Sequence, residues 1–271
     1  MFTEDLKQIQ RMAPLMQRVL IVDPAVSSAK LLTEAMRNIV QVQVWHAPTT
    51  RKGLEAASQI NPQLVFVELN GPDVDGVEFS RLLRRSDMPC RQAPIIMVTA
   101  TATAVAILSA RDAGVHEFLR KPYTAKDLLR RLEAVTLHPR DWIEAVEYVG
   151  PDRRRFNSGD YSGPLKRRSD VGATPDAQRI TQALKIVRSA IPAIATDPTQ
   201  AMRALLAQTV ELQRGAQVTG NAKLALTVVE FQRYLAGAAQ AGILLPDEIG
   251  QRAAPLLAFL PKDAPGKDRA A

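Results

Sequence analysis

The chain has 271 residues, of which 46% are hydrophobic, 23% charged and 5% aromatic. This length suits two domains of roughly 100 to 150 residues, and the composition excludes a disordered or collagen-like chain. The single cysteine, Cys90, excludes an internal disulfide and a cysteine-cluster zinc site, and three scattered histidines predict no metal cage. No apolar run reaches the roughly 20 residues of a membrane span, and acids replace the basic start of a signal peptide. We therefore expect a cytoplasmic protein.

The net charge of +7 is densest in a short middle segment. Residues 1–149 are nearly balanced, with 18 Lys and Arg against 17 Asp and Glu. Residues 150–170 hold six cations against three acids, and residues 171–271 hold 11 against eight. This distribution predicts a local patch that attracts anions rather than a basic domain.

Short apolar runs alternate with helical stretches through the first half of the chain. The runs are Val19–Val22, Val40–Trp45, Leu64–Val67, Pro94–Val98 and His116–Leu119. Helical patterns separate them, and the last helix covers 125–135. Such alternation predicts an α/β fold with a parallel sheet covered by helices on both faces.

Four polar residues stand where these predicted strands end: Asp23, Glu68, Thr99 and Lys121. In a parallel sheet the carboxyl ends of the strands meet at one edge, where the connecting loops gather. We therefore expect two carboxylates, a hydroxyl and an ammonium to converge on one crevice.

The strand-end motifs are RVLIVDP, PQLVFVELNGPDVDGVEF, PIIMVTA and GVHEFLRKPY. In this order and spacing, residues 18–137 resemble the receiver domain of bacterial two-component response regulators. The resemblance implies a receiver-like (flavodoxin-like) sheet of five parallel strands in the order 2-1-3-4-5. It also implies a phosphorelay signalling role without enzymatic activity of its own.

Two departures from the family pattern suggest a degenerate pseudo-receiver. The resemblance implies a second acid after Asp23 to help hold Mg²⁺, but this chain has Pro24. It also implies an aspartate as phosphoacceptor, but Glu68 stands there. Because Mg²⁺ demands near-ideal geometry from few ligands, we expect its binding to be weak or absent, with no cofactor and no catalytic residue.

Thr99 and Phe118 match the family's switch hydroxyl and switch aromatic, and Lys121 matches the lysine that contacts the phosphoryl group. Two interpretations of Glu68 follow. Its charge imitates phosphorylation and holds one signalling state, or Glu68 and Lys121 form an ion pair that only closes the crevice.

A repeat occupies the middle segment, where YVGPDRRR at 148–155 recurs as YSGPLKRR at 161–168. The first copy resembles the GPDRRR tails of a group of bacterial receiver proteins. Three interpretations stay open: a solvated linker, a docking strip for an acidic protein, and a site for nucleic acid or a cyclic dinucleotide. The cations that would contact an anion or partner are Arg153, Arg154, Arg155, Lys166, Arg167 and Arg168.

The pattern of the last hundred residues predicts a bundle of four helices, in which we recognise no family motif. Helix starts are predicted at Thr174 and Asp197, each followed by proline, and breaks at Gly215, Gly220 and Gly242. An apolar stripe is formed by Leu224, Val228, Phe231 and Leu235. The stripe predicts a core that could extend into a seam with a second copy.

The sequence thus divides into an N-terminal extension (1–17), a receiver-like domain (18–137), a basic linker (138–173), a helical bundle (174–261) and a disordered tail (262–271). The first functional hypothesis is a signalling protein that acts without phosphorylation, through protein partners or as a homodimer. The alternative is an output protein that binds nucleic acid or a cyclic dinucleotide through the repeat.

Overall fold

The structure is a computed structural model that describes residues 2–153, 174–242 and 244–261. These residues form two compact units. The first contains the described residues up to Ile143 together with 148–153, and the second contains 144–147 together with the described residues from Thr174 onward. Most of the predicted linker and the predicted tail lie outside the described residues.

A five-stranded parallel sheet forms the centre of the first unit. Its strands are β1 (Arg18–Val22), β2 (Gln43–Ala47), β3 (Leu64–Glu68), β6 (Ile95–Thr99) and β7 (Glu117–Arg120). They lie in the order β2-β1-β3-β6-β7, which confirms the predicted order 2-1-3-4-5 for the strands of this sheet. Two-stranded ribbons pair β4 (Asn70–Gly71) with β5 (Val74–Asp75), and β8 (Trp142–Glu144) with β9 (Val149–Pro151).

Helices pack on both faces of the sheet, as the sequence predicts. They are α1 (Phe2–Met12), α2 (Val26–Ile39), α3 (Thr50–Ile60), α4 (Gly76–Arg85), α5 (Ala104–Asp112) and α6 (Ala125–Thr136). Short 3₁₀ turns lie at Ala13–Leu15 and Pro89–Gln92. Because strand side chains alternate, Val19 and Ile21 enter one core cluster while Leu20 and Val22 enter the other.

The core of the first unit includes residues from the predicted N-terminal extension. Met12 and Met16 are fully buried and pack in the same cluster as Leu128 and Leu132 of α6. The side chain of Gln8 donates a hydrogen bond of 3.1 Å to Glu133 Oε1. The segment before β1 therefore completes one face of this unit.

The second strand begins later than the sequence predicts. Val40 was expected to open it, but the Val40 N–H donates to Met36 O and caps α2, and β2 starts at Gln43. The apolar side chain of Val40 packs in the core, although the residue lies outside the sheet.

Four helices form the second unit: α7 (Pro175–Ala193), α8 (Pro198–Thr219), α9 (Ala222–Ala241) and α10 (Pro246–Leu257). The predicted end of α8 at Gly215 is wrong, because α8 continues to Thr219 and ends at the left-handed Gly220. A Cβ on Gly215 would lie 2.6 Å from Ile180 Cγ1, so this glycine permits close packing of α7 on α8.

The apolar stripe on α9 is buried inside the second unit. Leu224, Val228, Phe231 and Leu235 are each at most 2% exposed. A seam with a second copy through this stripe, which the sequence left open, is therefore wrong, because these side chains form the unit's own core. No helix in the described ranges combines the length and apolar character that a membrane crossing requires.

Candidate functional site

The carboxyl ends of the central strands bring three of the four expected polar side chains into one crevice. Asp23 follows β1, Glu68 is the last residue of β3, and Lys121 follows β7. The Lys121 N–H donates to Thr99 O over 2.7 Å, which continues the β6–β7 ladder and fixes where the lysine side chain starts.

The ammonium group of Lys121 lies at the centre of this crevice. Lys121 Nζ is 2.5 Å from Glu68 Oε2, 2.7 Å from Ser28 Oγ and 3.2 Å from Asp23 Oδ2. The Ser28 hydroxyl also donates to Asp23 Oδ2 over 2.7 Å. Ser28 was missed by the sequence analysis, and its only signal is its position in the first turn of α2, next to the strand ends.

Backbone donors hold the other two carboxylate oxygens of the crevice. Asp23 Oδ1 accepts a hydrogen bond from Ala25 N at 2.8 Å, and Glu68 Oε1 accepts one from Leu69 N at 3.1 Å. All four carboxylate oxygens therefore have donors within the protein. Both acids are largely buried, with side chains 7% and 11% exposed respectively.

The magnesium ion implied by the receiver resemblance does not fit this donor set. A hard cation needs free oxygen ligands, whereas each carboxylate oxygen here already accepts a hydrogen bond and an ammonium lies between the two acids. Pro24 adds no ligand, and its ring packs on Gly71, where a Cβ would lie 2.6 Å from Pro24 Cγ.

The environment of Lys121 favours its charged form. Burial by itself would lower the pKa of Lys121, but the hydrogen bond and charge of Glu68, with those of Asp23, outweigh burial and raise that pKa. The ammonium thus acts as a fixed counter-ion for two carboxylates that would otherwise repel each other.

A glycine positions the backbone of Glu68. A Cβ on Gly76 would lie 2.3 Å from Glu68 O, so only glycine allows the first turn of α4 to pack on the end of β3. The Gly76 N–H donates to Leu69 O over 2.9 Å, which holds the two segments together.

The two residues that match the family's switch pair are buried beside the crevice. The Thr99 hydroxyl accepts a hydrogen bond from Thr101 N at 3.1 Å, within its own loop. Phe118 lies opposite Met97 in the β6–β7 ladder and packs in the core cluster that contains Leu20 and Val22. The structure therefore places Thr99 at the end of β6 and Phe118 in the core.

At the amino ends of β6 and β7 lies a second polar cluster, built around the fully buried Arg84. Its guanidinium donates to three carbonyls, Gly114 O at 3.0 Å, Arg91 O at 2.6 Å and Ala93 O at 2.9 Å. It also lies 3.1 Å from His116 Nδ1. Burial lowers the pKa of Arg84 to about 9.

The first copy of the repeat packs on the first unit, through residues 148–153, which we call the strap. Tyr148 is buried, donates its hydroxyl proton to Pro151 O, and stacks under the guanidinium of Arg153 at 4.4 Å. A Cβ on Gly150 would lie 2.6 Å from Gly114 Cα, so the two backbones meet at glycines.

Of the six cations expected to contact an anion or partner, the structure describes Arg153. Its guanidinium forms an ion pair with Asp112 at 3.0 Å, in addition to its stacking on Tyr148. The other five lie outside the described residues: Arg154, Arg155, Lys166, Arg167 and Arg168. No group of three or more His, Cys, Asp or Glu that could hold a metal occurs in the described ranges.

The lysine at the centre of the crevice should contribute measurably to stability. Replacing Lys121 by Met leaves Asp23 and Glu68 without their cation, so we expect the unfolding free energy to fall by about 1–3 kcal/mol at neutral pH. Because the folded-state pKa of Lys121 is raised, this contribution is present below pH 10.5 and lost as the pH rises through the raised value. Urea unfolding at neutral and at strongly alkaline pH measures both. Lys126→Met, on an exposed position of α6, is the control.

The histidine of the amino-end cluster should make the fold sensitive to acid. His116 Nδ1 accepts from Ile95 N at 3.2 Å and faces Arg84, so the ring is neutral. Burial, with the charges of Arg84 and Arg140, lowers the pKa of His116 well below 6.5. Since the unfolded chain binds the proton more tightly, stability should fall as the pH drops below 6.5.

His116→Asn keeps an acceptor near the Nδ1 position but cannot gain a proton in this range. We expect its stability loss between about pH 7.5 and pH 5.5 to be smaller than that of the wild type by about 1 kcal/mol. Equal losses in both chains would contradict the role assigned to His116.

Comparison with known proteins supports the receiver resemblance for the first unit. Residues 19–133 match the family model described as the response regulator receiver domain. Over 118 residues the chain is 30% identical to the DNA-binding response regulator MtrA of Mycobacterium tuberculosis, which covers 44% of this chain and 50% of that protein. It is 32% identical over 117 residues to the KDP operon transcriptional regulatory protein KdpE of Escherichia coli, covering 43% and 50%.

The chain spans about half the length of these curated relatives. Among solved structures, a chemotaxis protein of Vibrio cholerae is 24% identical, with a TM-score of 0.42, and the match covers 44% of this chain and 98% of that one. A receiver domain protein of Methanospirillum hungatei is 22% identical, with a TM-score of 0.42, covering 46% and 96%. The family-model match confirms, for residues 19–133, the resemblance to response regulator receiver domains.

Proposed function

We propose that residues 18–137 are a pseudo-receiver that takes part in bacterial two-component-type signalling without being phosphorylated, by contacting proteins. The observation that carries this proposal is the position of Lys121 Nζ within hydrogen-bonding distance of Asp23, Ser28 and Glu68. A phosphoacceptor needs a free carboxylate oxygen and a metal to neutralise the incoming charge. In this crevice the oxygens have donors and the cation is part of the chain.

The geometry favours the ion-pair interpretation of Glu68 over imitation of a phosphoryl group. Glu68 is held between Lys121 and its own neighbouring N–H, whereas the Thr99 hydroxyl accepts from Thr101. The hydrogen bonds of Glu68 are thus made to Lys121 and to the main chain, while the Thr99 hydroxyl accepts one from its own loop. A closed crevice of this kind keeps the domain in one state, which suits constitutive contact with a partner.

Phosphorylation chemistry tests this proposal directly. Incubation of the full chain with acetyl phosphate and Mg²⁺ should give no mass gain of one phosphoryl group, because the carboxylate oxygens of the crevice already accept hydrogen bonds and Lys121 lies between them. The double variant Pro24→Asp with Glu68→Asp restores both family acids and is the positive control, which should show the gain. A gain in the wild-type chain that disappears in Glu68→Ala would overturn the proposal.

The surface that we propose for protein contact is the face around α5, within residues 103–135. Val105 and Leu108 lie on this helix and are 73% and 47% exposed. Exposed aliphatic side chains at neighbouring positions of one helix are a common feature of protein interfaces. The switch residue Phe118 lies on β7, the strand that follows α5 in the chain.

A charge on this surface should disrupt its contacts while the fold remains. We expect Val105→Glu to abolish self-association in light scattering of the full chain, or capture of protein partners from the native organism. Leu31→Glu is the matched control, since Leu31 lies on α2 and is 66% exposed. The interface would lie elsewhere if Leu31→Glu abolished self-association and partner capture, or if Val105→Glu abolished neither.

The alternative function is nucleic-acid or cyclic-dinucleotide binding through the repeat. It is favoured by relatives such as MtrA, whose name describes a DNA-binding regulator, although the match covers 44% of this chain. Arg153, the described member of the cation set, is engaged by Asp112 and Tyr148, which reduces its availability to an anion. The ion pair and the stacking therefore count against anion binding by Arg153.

A further inference from the structure

Helix α9 buries one narrow stripe in the second unit and leaves the rest of its surface open. Apart from the four buried residues of that stripe, the positions of this twenty-residue helix are half-buried or exposed. A helix that packs on one side ordinarily carries charged and polar residues on the other. In α9 only Lys223, Glu230 and Arg233 are charged, whereas Leu226 and Val229 are 68% and 39% exposed. The outer face of α9 is thus poor in charge for a surface in contact with water.

A glycine on this outer face has no packing neighbour in the unit. Glycine in a helix interior is destabilising relative to alanine, and it suits positions where another group approaches the backbone closely. Gly215 of α8 has such a neighbour in Ile180, whereas a Cβ on Gly237 would meet nothing within 4 Å in the described part of the chain. Gly237 therefore leaves the backbone of α9 open to a group from outside the unit.

Charged and apolar positions of the outer face recur at spacings of four, three and four. Leu226, Glu230, Arg233 and Gly237 therefore lie on one stripe, which we call the outer stripe, on the side of α9 away from the buried stripe. All four residues are exposed. Neither Glu230 nor Arg233 forms an ion pair with any of the described residues. Both charges are thus available to a second molecule.

In an antiparallel arrangement the outer stripe is complementary to itself. When two copies of a helix pack antiparallel about a twofold axis, residues at equal distances on either side of the axis face each other. With the axis midway between Glu230 and Arg233, Glu230 faces Arg233 of the second copy and Leu226 faces Gly237 of the second copy. Each copy thus offers a large apolar side chain to a glycine and a carboxylate to a guanidinium, and each contact occurs twice.

A parallel arrangement of the same stripe is unfavourable. Each residue would then face its own equivalent, so that Glu230 would meet Glu230 and Arg233 would meet Arg233 of the second copy. Like charges placed opposite each other at an interface repel, and two facing glycines leave a gap. The order of residues along the stripe therefore favours the antiparallel direction.

We propose that the outer stripe of α9 is a homodimer interface in which two copies of this chain pack antiparallel. The reciprocal ion pairs set the direction and register, and the glycine lets the leucine of the second copy approach the helix closely. The dimer goes beyond the proposed function, because its interface lies in the helical unit and does not depend on the receiver crevice. The surface around α5 is then the one that meets other proteins.

Exchange of the two charges tests this arrangement. Sedimentation equilibrium of the full chain gives the dimer dissociation constant. Glu230→Arg or Arg233→Glu alone places like charges together at both symmetric contacts, so each should weaken the dimer at least about tenfold. The double variant Glu230→Arg with Arg233→Glu restores both ion pairs with their partners exchanged, and its dissociation constant should return to within about threefold of the wild type.

Two further variants separate the outer stripe from the rest of the helix. Gly237→Leu fills the space assigned to Leu226 of the second copy and should weaken the dimer at least about tenfold, while thermal unfolding shows that the chain stays folded. Gln232→Arg is the matched control, since Gln232 is exposed on α9 but lies off the outer stripe, and it should leave the dimer unchanged.

Three results would overturn the proposal. One is a wild-type chain that sediments as a monomer at every concentration up to about 1 mM. Another is a double charge exchange that dimerises no better than the single variants. The third is a dimer that persists in the α9 variants but is lost in Val105→Glu, which would assign it to the surface around α5. A phosphorylated wild-type chain would refute the pseudo-receiver but would not affect these readouts.

Discussion

The ammonium group of Lys121 bridges two carboxylates that the fold brings together from the ends of different strands. Asp23 follows β1 and Glu68 ends β3, and because these strands are adjacent in the sheet, the two acids lie at the same edge. Lys121 reaches them from the end of β7, and Ser28 completes the set with a hydroxyl. Buried like charges repel strongly, so the cation between the two acids stabilises their close approach.

The same interaction decides what the crevice can do. Each carboxylate oxygen accepts a hydrogen bond from the chain, and Pro24 packs against Gly71 without offering an oxygen ligand. With these oxygens hydrogen-bonded and an ammonium between the two acids, the crevice offers a divalent cation a poor set of ligands, which is the basis of the proposal that it is not phosphorylated. The two departures from the family pattern have related effects. Pro24 stands where the family has a metal ligand, and Glu68 is a longer acid that reaches Lys121.

Polar groups at the opposite ends of the strands have a different role. Arg84 and His116 are buried at the amino ends of β6 and β7, beside the glycine that meets the backbone of the strap at Gly150. In the second unit, Gln200 and Gln208 likewise use buried amides to hold a piece of backbone. In both units, buried polar side chains therefore hydrogen-bond to main-chain segments outside the five-stranded sheet and the helices.

The sequence by itself determined the parallel sheet and the convergence of Asp23, Glu68 and Lys121, because alternating apolar runs impose such a sheet and its strand ends are local signals. The strand order followed from the resemblance to receiver domains and not from the alternation. The sequence could not determine that Ser28 joins the crevice, since a serine in a first helical turn is ordinarily only a local hydrogen-bonding group. The sequence analysis also ended α8 too early, at Gly215. The reason for a glycine at this position is its close packing against Ile180, which is seen only in the tertiary structure. Which polar side chains are buried, and against which carbonyls, was decided by the tertiary structure alone, since those partners are distant in sequence and leave no periodic pattern.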